Sequence, residues 1–418
     1  MVAEIISVGT EILTGSIVNT NSAYISEQLA TLGINCYYQI AVDNNESRLE
    51  ECLRTAMGRS DIVVMCGGLG PTSDDITKEV AAKVTGRELV IDAKAQELLE
   101  RFALEKGLEI PKNGFKQALV PQGSYVMYNP NGTAIGMIIV SEDKSLILLP
   151  GPPTELVPMF ADQVKPYLAA DSGQAFYSTM VKICGLSESA VAESIKDIEN
   201  SDDLTIATYI RTGEVHVRVT SVAEDEKAAK KLAKPVVKEL KARFGSKIYS
   251  THEDTTLEQT VVELLEKNQL TIATAESCTG GMLAGKIINV PGASDIFKEG
   301  FVTYYNKAKR ERLGVKKSTL NKYGAVSEEC AKEMVKGLLA STKADVGVSI
   351  TGIAGPGGGT DDKPVGTVYI GRIVCGKVQV IKCLFDGNRE KVRESSCVAA
   401  LNFVRMGILE YFSEQLLK

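Results

Sequence analysis

The chain has 418 residues, of which 44% are hydrophobic and 24% are charged, and its formal net charge is −6. This length exceeds what one hydrophobic core supports, so we expect two or three domains, and the acidic balance disfavours a dedicated nucleic-acid-binding protein. The sequence contains no apolar run long enough to cross a membrane, so we expect no membrane partner. The nine cysteines are scattered and form no Cys-x-x-Cys pair, a usage typical of free thiols in a reducing compartment, so we expect a cytoplasmic protein.

Residues 1–170 alternate apolar, strand-like runs with helical periods, and we treat them as the first domain. The predicted strands and helices are, in chain order, 5–9, 22–32, 36–42, 46–57 and 61–66. Strands that alternate with helices of this length predict a parallel sheet with crossover helices. Ligands of such sheets bind beyond the carboxyl ends of the strands, so the loops at those ends are the candidates for a site.

A glycine-rich loop with two carboxylates follows the third predicted strand. Its members are Gly67, Gly68, Gly70, Thr72, Asp74 and Asp75. Glycines let backbone N–H groups approach a phosphate, and carboxylates at a helix start can ligate a divalent metal. Thr10 and Glu11, just past the first strand, could join this site. The alternative is that the two aspartates only cap the helix that follows them.

Residues 171–250 follow a polar break at 170–173 and form a predicted second domain. A strand, a short helix, two strands joined at a Thr-Gly-Glu turn, and a long charged helix indicate a small α+β unit. RNA-binding domains of this kind need a Gly-x-x-Gly loop, and this segment has none. The lysines of the long helix are offset by acidic residues, as on a solvated face. We therefore expect a spacer or dimerisation domain and regard nucleic-acid binding as unlikely.

The third predicted domain, residues 251–418, contains a serine at a strand-to-helix turn. A β-branched run at 270–275 precedes Ser277, and a helical pattern follows Gly280 and Gly281. Such a turn can present a nucleophilic hydroxyl beside backbone N–H groups that stabilise an oxyanion. The alternative is a simple Ser/Thr helix cap followed by a flexible glycine pair.

A nucleophilic Ser277 needs a base, and the chain has only two histidines, neither of them close in sequence. Lysine is the remaining candidate, provided that burial lowers its pKa, and Lys309 with Tyr304 fits this role. Cys278 is the rival nucleophile, although its side chain is expected to point into the core. A second glycine loop contains Thr351, Gly352 and Gly355 and follows another predicted strand.

The motifs of the first domain resemble those of the CinA family of competence/damage-inducible proteins. The matching segments are Gly9-Thr10-Glu11, Gly67-Gly68-x-Gly70-Pro71-Thr72-x-Asp74-Asp75 and Leu149-Pro150-Gly151-Pro152-Pro153. The resemblance implies a molybdopterin-binding-like fold, followed by a KH-like middle domain. It also implies a nucleotide site at Thr10, Gly67, Gly68, Gly70 and Thr72, and metal-dependent hydrolysis of ADP-ribose. The cofactor would be cobalt, manganese or magnesium, held by Asp74, Asp75 and Glu11.

The third domain resembles the carboxy-terminal domain of the same family, the nicotinamide mononucleotide deamidases. The matching segments are Ala275 to Gly281, Gly300 to Lys309, Gly324 to Ser327 and Thr351 to Pro356. The resemblance implies that Ser277 attacks the carboxamide while Lys309 and Tyr304 relay the proton, with no cofactor. Gly280, Gly281 and Thr279 would bind the oxyanion or substrate, and the loop with Thr351, Gly352 and Gly355 would bind the ribose phosphate with Arg389 or Arg393. Asn388 departs from the aspartate expected before Arg389.

The sequence therefore predicts an α/β protein of three domains: a molybdopterin-binding-like domain, a KH-like α+β domain and an α/β deamidase domain. We expect a homodimeric, bifunctional hydrolase of nicotinamide mononucleotide and ADP-ribose. One alternative is a scaffold or regulator of competence or of the DNA-damage response. Another is a pterin-binding first domain.

Overall fold

The computed structural model describes residues 1–107, 114–171, 175–201 and 203–416. The chain divides into two compact units, Met1–Ser178 with Thr220–Ala233, and Thr179–Val219 with Lys234–Lys418. Residues 172 and 173 of the predicted polar break lie outside the described residues. The three domains with limits at 170 and 250 stay a prediction.

The first unit is built on a six-stranded sheet with the order β2-β1-β3-β8-β7-β6, and a separate β4-β5 pair. Its strands are β1 (Val2–Val8), β2 (Asn35–Val42), β3 (Ile62–Cys66), β4 (Leu89–Ile91), β5 (Leu119–Pro121), β6 (Tyr125–Met127), β7 (Gly136–Ser141) and β8 (Lys144–Leu149). Its helices are α1 (Thr10–Leu13), α2 (Thr20–Thr31), α3 (Glu46–Arg59), α4 (Thr77–Val84), α5 (Ala93–Lys106), α6 (Pro153–Met159) and α7 (Lys165–Asp171).

The centre of this sheet is parallel, because β1 pairs with β2 and β3, and β3 pairs with β8. Strands β7 and β6 continue it in antiparallel fashion. The near-continuous apolar run of β3 follows from burial on both faces: Val63 and Met65 belong to one core cluster, and Val64 belongs to the other. The glycine loop therefore begins at the carboxyl end of a central strand.

The middle part of the chain forms a four-stranded sheet with the order β10-β11-β9-β12. The strands are β9 (Ala175–Cys184), β10 (Leu204–Arg211), β11 (Glu214–Ala223) and β12 (Ile248–Ser250), and the helices are α8 (Glu188–Ile195) and α9 (Glu226–Phe244). Strands β10 and β11 are joined at Thr212-Gly213, where Gly213 has a φ of 75°. This is the small α+β arrangement that the sequence predicts.

The last part of the chain forms a five-stranded sheet with the order β14-β13-β15-β16-β17. The strands are β13 (Ile272–Glu276), β14 (Phe297–Val302), β15 (Val346–Gly352), β16 (Thr367–Val374) and β17 (Lys377–Leu384). The helices are α10 (Leu257–Lys267), α11 (Met282–Ile288), α12 (Asn306–Leu313), α13 (Lys317–Tyr323), α14 (Glu328–Thr342) and α15 (Arg389–Leu416).

Strand β13 is parallel to both of its neighbours, β14 and β15, whereas β16 and β17 are antiparallel. Its side chains alternate between two cores: Ile272 packs in one cluster, and Ala273 and Ala275 pack in another with residues of α14. Ser277 follows this fully buried strand. The predicted fold class, a mixed α/β chain with three sheet-based parts, is confirmed.

Across the described residues, the structure has no helix that is both long enough and apolar enough to cross a membrane.

Candidate functional sites

Ser277 lies at the carboxyl end of β13, between the ends of β14 and β15. Its backbone N–H donates to the carbonyl of Ile350 in β15, at 3.0 Å. This bond fixes the start of the turn against the central sheet. The side chain is 8% exposed, so its hydroxyl sits at the floor of the turn.

Lys309 on α12 supplies the partner of the serine hydroxyl. Its side chain is 1% exposed, and its Nζ lies 2.9 Å from Ser277 Oγ. The same Nζ donates to the carbonyls of Thr303, at 2.7 Å, and Tyr304, at 3.2 Å. An uncharged amine has two N–H groups and one lone pair, and two carbonyls already accept from this nitrogen. In that state the lone pair faces the serine hydroxyl.

Burial lowers the pKa of Lys309 from its ordinary value, because the charged form loses solvation. Two buried thiols, Cys330 and Cys278, oppose this shift only in part. Burial in turn raises the pKa of each thiol to about 11. Cys278 belongs to the hydrophobic core and stays protonated at neutral pH, which disfavours it as the nucleophile.

Glu276 caps the helix that follows the turn, a residue that our sequence analysis missed. Its carboxylate, 1% exposed, accepts hydrogen bonds from the amides of Gly281 and Leu283, each at 3.0 Å, and of Ala284, at 2.8 Å. The hydroxyl of Ser277 is therefore not the cap of α11. The sequence did contain a signal for this role, because Glu276 ends an apolar run. A carboxylate buried there is costly unless several hydrogen-bond donors surround it.

The N–H groups of the two glycines that were predicted to bind an oxyanion have acceptors within the chain, and that role stays a prediction. The N–H of Gly280 donates to the carbonyl of Ser277 at 3.1 Å, and the N–H of Gly281 donates to Glu276. Both glycines have positive φ angles, 62° and 94°, which side chains rarely adopt. Their contribution is the shape of the turn.

The two arginines at the start of α15 are bound to the site's own backbone. Arg393 donates to the carbonyls of Cys278, at 3.1 Å, and Thr279, at 2.8 Å. Arg389 donates to the carbonyl of Gly355, at 2.8 Å, and to the phenolic oxygen of Tyr304, at 3.0 Å. Arg393 thus holds the nucleophile turn, and Arg389 joins the second glycine loop to Tyr304.

The two predicted threonine contacts are buried. The hydroxyl of Thr351 donates to the carbonyl of Ala325 at 2.7 Å, so this residue connects β15 to the segment before α14. The Thr279 hydroxyl is also buried, and within the described part of the chain it has no hydrogen-bond partner. Gly352 packs closely on β16, since a Cβ there would lie 2.6 Å from Val368. Thr279 and Thr351 are 0% and 1% exposed, and their predicted contacts with the substrate stay predictions.

The glycine loop of the first unit lines an open cleft of about 470 Å³, which we call the glycine cleft. The predicted residues that line it are Glu11, Gly67, Gly68, Gly70 and Asp75, and Glu155 and Asn21 lie with them. Thr10, Thr72 and Asp74 are not among its lining residues. The structure therefore brings together most of the predicted set but not all of it.

Asp75 is turned inward by its own loop. Its Oδ2 accepts from the N–H of Thr72, at 2.8 Å, and from the Thr72 hydroxyl, at 2.6 Å. The Nζ of Lys116 holds the loop from behind, donating to the carbonyls of Thr72, at 3.1 Å, and Asp75, at 2.6 Å. Gly67 has a φ of 99°, and a Cβ there would lie 2.2 Å from the Val8 carbonyl, so this close approach requires glycine.

Three carboxylates, those of Glu11, Asp75 and Glu155, line the glycine cleft. Burial raises the pKa of Glu155, whose carboxylate accepts from Asn129 at 2.6 Å. No group of three or more His, Cys, Asp or Glu side chains in the described ranges is arranged to hold a metal ion. Magnesium is often bound by only one or two carboxylates together with substrate phosphates, and Asp75 and Glu11 fit that pattern.

The fold and these two sites define a multidomain α/β protein with a molybdopterin-binding-like domain and a serine–lysine pair. Three domain families match in order: "Probable molybdopterin binding domain" at residues 4–170, "Damage-inducible protein CinA KH domain" at 178–250 and "CinA C-terminal domain" at 254–408. The chain belongs to the CinA family of competence/damage-inducible proteins.

Two curated relatives match over nearly the whole length. The "Putative competence-damage inducible protein" of Clostridium beijerinckii is 50% identical over 406 residues, covering 97% of this chain and 99% of the relative. The "CinA-like protein" of Kosmotoga olearia is 47% identical over 410 residues, covering 98% and 99%. A solved structure of CinA from Thermoplasma acidophilum is 36% identical and covers 40% of this chain and 96% of its own, with a TM-score of 0.37.

Proposed function

We propose that this protein hydrolyses the carboxamide of nicotinamide mononucleotide to nicotinate mononucleotide and ammonia. The observation that carries the proposal is the buried pair of Lys309 Nζ and Ser277 Oγ, 2.9 Å apart, in which burial lowers the pKa of the lysine. A serine hydroxyl becomes an effective nucleophile when an adjacent base accepts its proton. Lysine serves as that base when it is uncharged, as desolvation favours here.

The reaction proceeds in two halves. Ser277 Oγ attacks the carboxamide carbon as neutral Lys309 accepts the hydroxyl proton. The tetrahedral intermediate then breaks its C–N bond, the proton passes to the departing nitrogen, and ammonia leaves an ester on Ser277. In the second half, water attacks this ester while Lys309 accepts a proton from the water. The acid product leaves, and the proton returns to Ser277.

Tyr304 supports the proton transfer to the leaving group. Because Arg389 donates to its phenolic oxygen at 3.0 Å, the phenolic O–H is free to point toward the substrate. A charge-assisted bond to that oxygen also makes the phenol a better proton donor.

We expect kcat/KM for ammonia release to rise with pH along a single acid limb. The base must be neutral, and the lowered pKa of Lys309 places the limb below the ordinary lysine value of 10.5. At pH values below that limb the amine is protonated and activity is lost. Initial rates of ammonia release across pH test this. A profile that is flat, or that falls as pH rises through the whole range, contradicts Lys309 as the base.

We propose a second activity for the first domain, hydrolysis of ADP-ribose to AMP and ribose 5-phosphate. The glycine cleft supports it through its charge: among the residues that the structure describes, three carboxylates line it and no Lys or Arg does. A diphosphate would be repelled from such a cleft unless a cation accompanied it. Asp75 and Glu11 would hold cobalt, manganese or magnesium, which neutralises charge on the diphosphate when bound.

Removal of divalent metal with a chelator is expected to abolish AMP release and to leave ammonia release unchanged. Ser277 and Lys309 would act without a metal ion, so we expect the chelator to affect only the release of AMP. AMP and ammonia are measured in the same protein sample, and readdition of cobalt, manganese or magnesium should restore AMP. Equal loss of both products would contradict the assignment of the metal to the first domain.

Two other results would favour the alternative functions. Wild-type protein that releases neither product would favour a scaffold or regulatory role in competence or the damage response. A fluorescent pterin carried through purification would favour pterin binding by the first domain. Homodimerisation and a cytoplasmic location stay predictions.

A further inference from the structure

The first unit contains a second open cleft, of about 610 Å³, to which no role has been assigned and which we call the α5 cleft. One wall is the face of α5 that carries Leu98 and Phe102, and the other is the segment from Tyr128 to Ile135. Thr133 lines both this cleft and the glycine cleft. The two clefts are therefore neighbours that share one wall.

The two clefts differ in chemistry. Within the described ranges, the lining of the glycine cleft contains three carboxylates and no aromatic side chain. The described lining of the α5 cleft contains two aromatic rings, two cations and two carboxylates, namely Phe102, Tyr128, Lys94, Arg101, Glu105 and Asp162. A flat, uncharged ring system suits the second environment, whereas a metal-bound diphosphate suits the first.

The ring of Phe102 is available to a ligand, whereas the Lys94 ammonium covers one face of the Tyr128 ring. Phe102 is 36% exposed on α5, with no aromatic neighbour at stacking distance among the described residues. The Lys94 ammonium lies 4.1 Å from the centre of the Tyr128 ring, and the Gln163 amide donates to the Tyr128 carbonyl at 3.2 Å. Stacking surfaces beside amide groups are the means by which proteins bind nucleobases.

We propose that the α5 cleft binds the adenine of the substrate, with the diphosphate crossing Thr133 into the glycine cleft. This inference rests on the proposed ADP-ribose hydrolysis, whose substrate carries a nucleoside on one side of its diphosphate. Among the described lining residues, the glycine cleft offers that base no ring to stack on, whereas the α5 cleft offers the exposed ring of Phe102. The chemical class that the α5 cleft selects is a nitrogen heterocycle with a phosphate tail.

The test is AMP binding by calorimetry to the full chain, with Phe102→Ala and Lys94→Ala. Loss of a stacking surface is expected to weaken AMP binding about 10-fold in Phe102→Ala. Binding of ribose 5-phosphate should not change. Leu104→Ala is the matched control, because Leu104 lies on the same helix, is 81% exposed and does not line the cleft. Thermal melts check that each variant folds. Because Lys94 is exposed, its replacement leaves the hydrophobic core unchanged.

The proposal is overturned if both cleft variants bind AMP as tightly as the control, or if a pterin phosphate binds wild type while AMP does not. Its failure differs from that of the proposed function. If wild type hydrolyses ADP-ribose and Phe102→Ala has an unchanged KM, the activity stands and this site is wrong. If wild type releases no AMP from ADP-ribose but binds AMP in a Phe102-dependent way, the site stands and the activity is wrong.

Discussion

Replacing Lys309 with methionine is expected to lower kcat for ammonia release at least about 10³-fold, because Ser277 then has no base. Methionine keeps most of the buried apolar volume, so folding should survive. Ser277→Ala should cost about as much, and the double variant should lose little more than either single one. Such non-additivity is the signature of residues that act as a unit. Single-turnover and steady-state ammonia assays measure these effects.

Lys307→Met is the matched control for this experiment. Lys307 lies on the same helix two residues earlier, its side chain is 71% exposed, and it forms a surface ion pair with Glu311 at 3.7 Å. Its replacement should leave kcat within about 2-fold, as is usual for surface pairs of this kind. A Lys309→Met protein that is folded and retains wild-type kcat would refute the serine–lysine mechanism.

Replacing Glu276 with alanine is expected to have the largest effect on stability among the site residues. Three amide N–H groups at the start of α11 lose their acceptor at once, and we expect a loss of about 3 kcal/mol in unfolding free energy. The turn that carries Ser277 should also loosen, which lowers kcat more than it raises KM. Chemical denaturation and ammonia-release kinetics on the same preparations test both parts.

Glu299→Ala provides the comparison, since Glu299 is an exposed carboxylate on the adjacent strand β14. Its loss should change the unfolding free energy by no more than about 0.5 kcal/mol. Glu276→Gln retains one oxygen acceptor and should fall between alanine and wild type. Equal stability of the Glu276 and Glu299 alanine variants would show that the cap contributes nothing.

The sequence predicted the strand-to-helix turn at Ser277 correctly, because a β-branched run followed by glycines and a helical pattern leaves few alternatives. It also indicated Lys309 once histidine was excluded. It could not predict where the backbone amides of the turn would donate. That depends on the rotamer of Glu276, and a buried carboxylate takes whichever donors surround it. The oxyanion role of the two glycines and the phosphate role of the two arginines stay predictions.

The glycine cleft also depends on side-chain orientations that the sequence could not predict. Asp74 and Asp75 are adjacent in the sequence and equally plausible as metal ligands, yet only Asp75 faces the cleft. Neither aspartate caps α4, which begins at Thr77 and, in the part of the chain that the structure describes, has no side-chain cap. Both lie in the turn before this helix, and the hydrogen bonds from Thr72 turn Asp75 inward. Nothing in the sequence assigned Glu155 to this site, because it follows a proline-rich turn about 80 residues after Asp75 in the chain.

Ser277 and Lys309 are separated by 32 positions along the chain, in the segment that runs from β13 through α11 and β14 to α12. Joining two such points costs little loop-closure entropy compared with a site assembled from distant segments. The nucleophile and its base therefore come from one continuous segment of the chain. The turn that carries Ser277, however, is held by the Ile350 carbonyl of β15 and by Arg393 of α15, so the catalytic geometry is complete only after these later segments are in place.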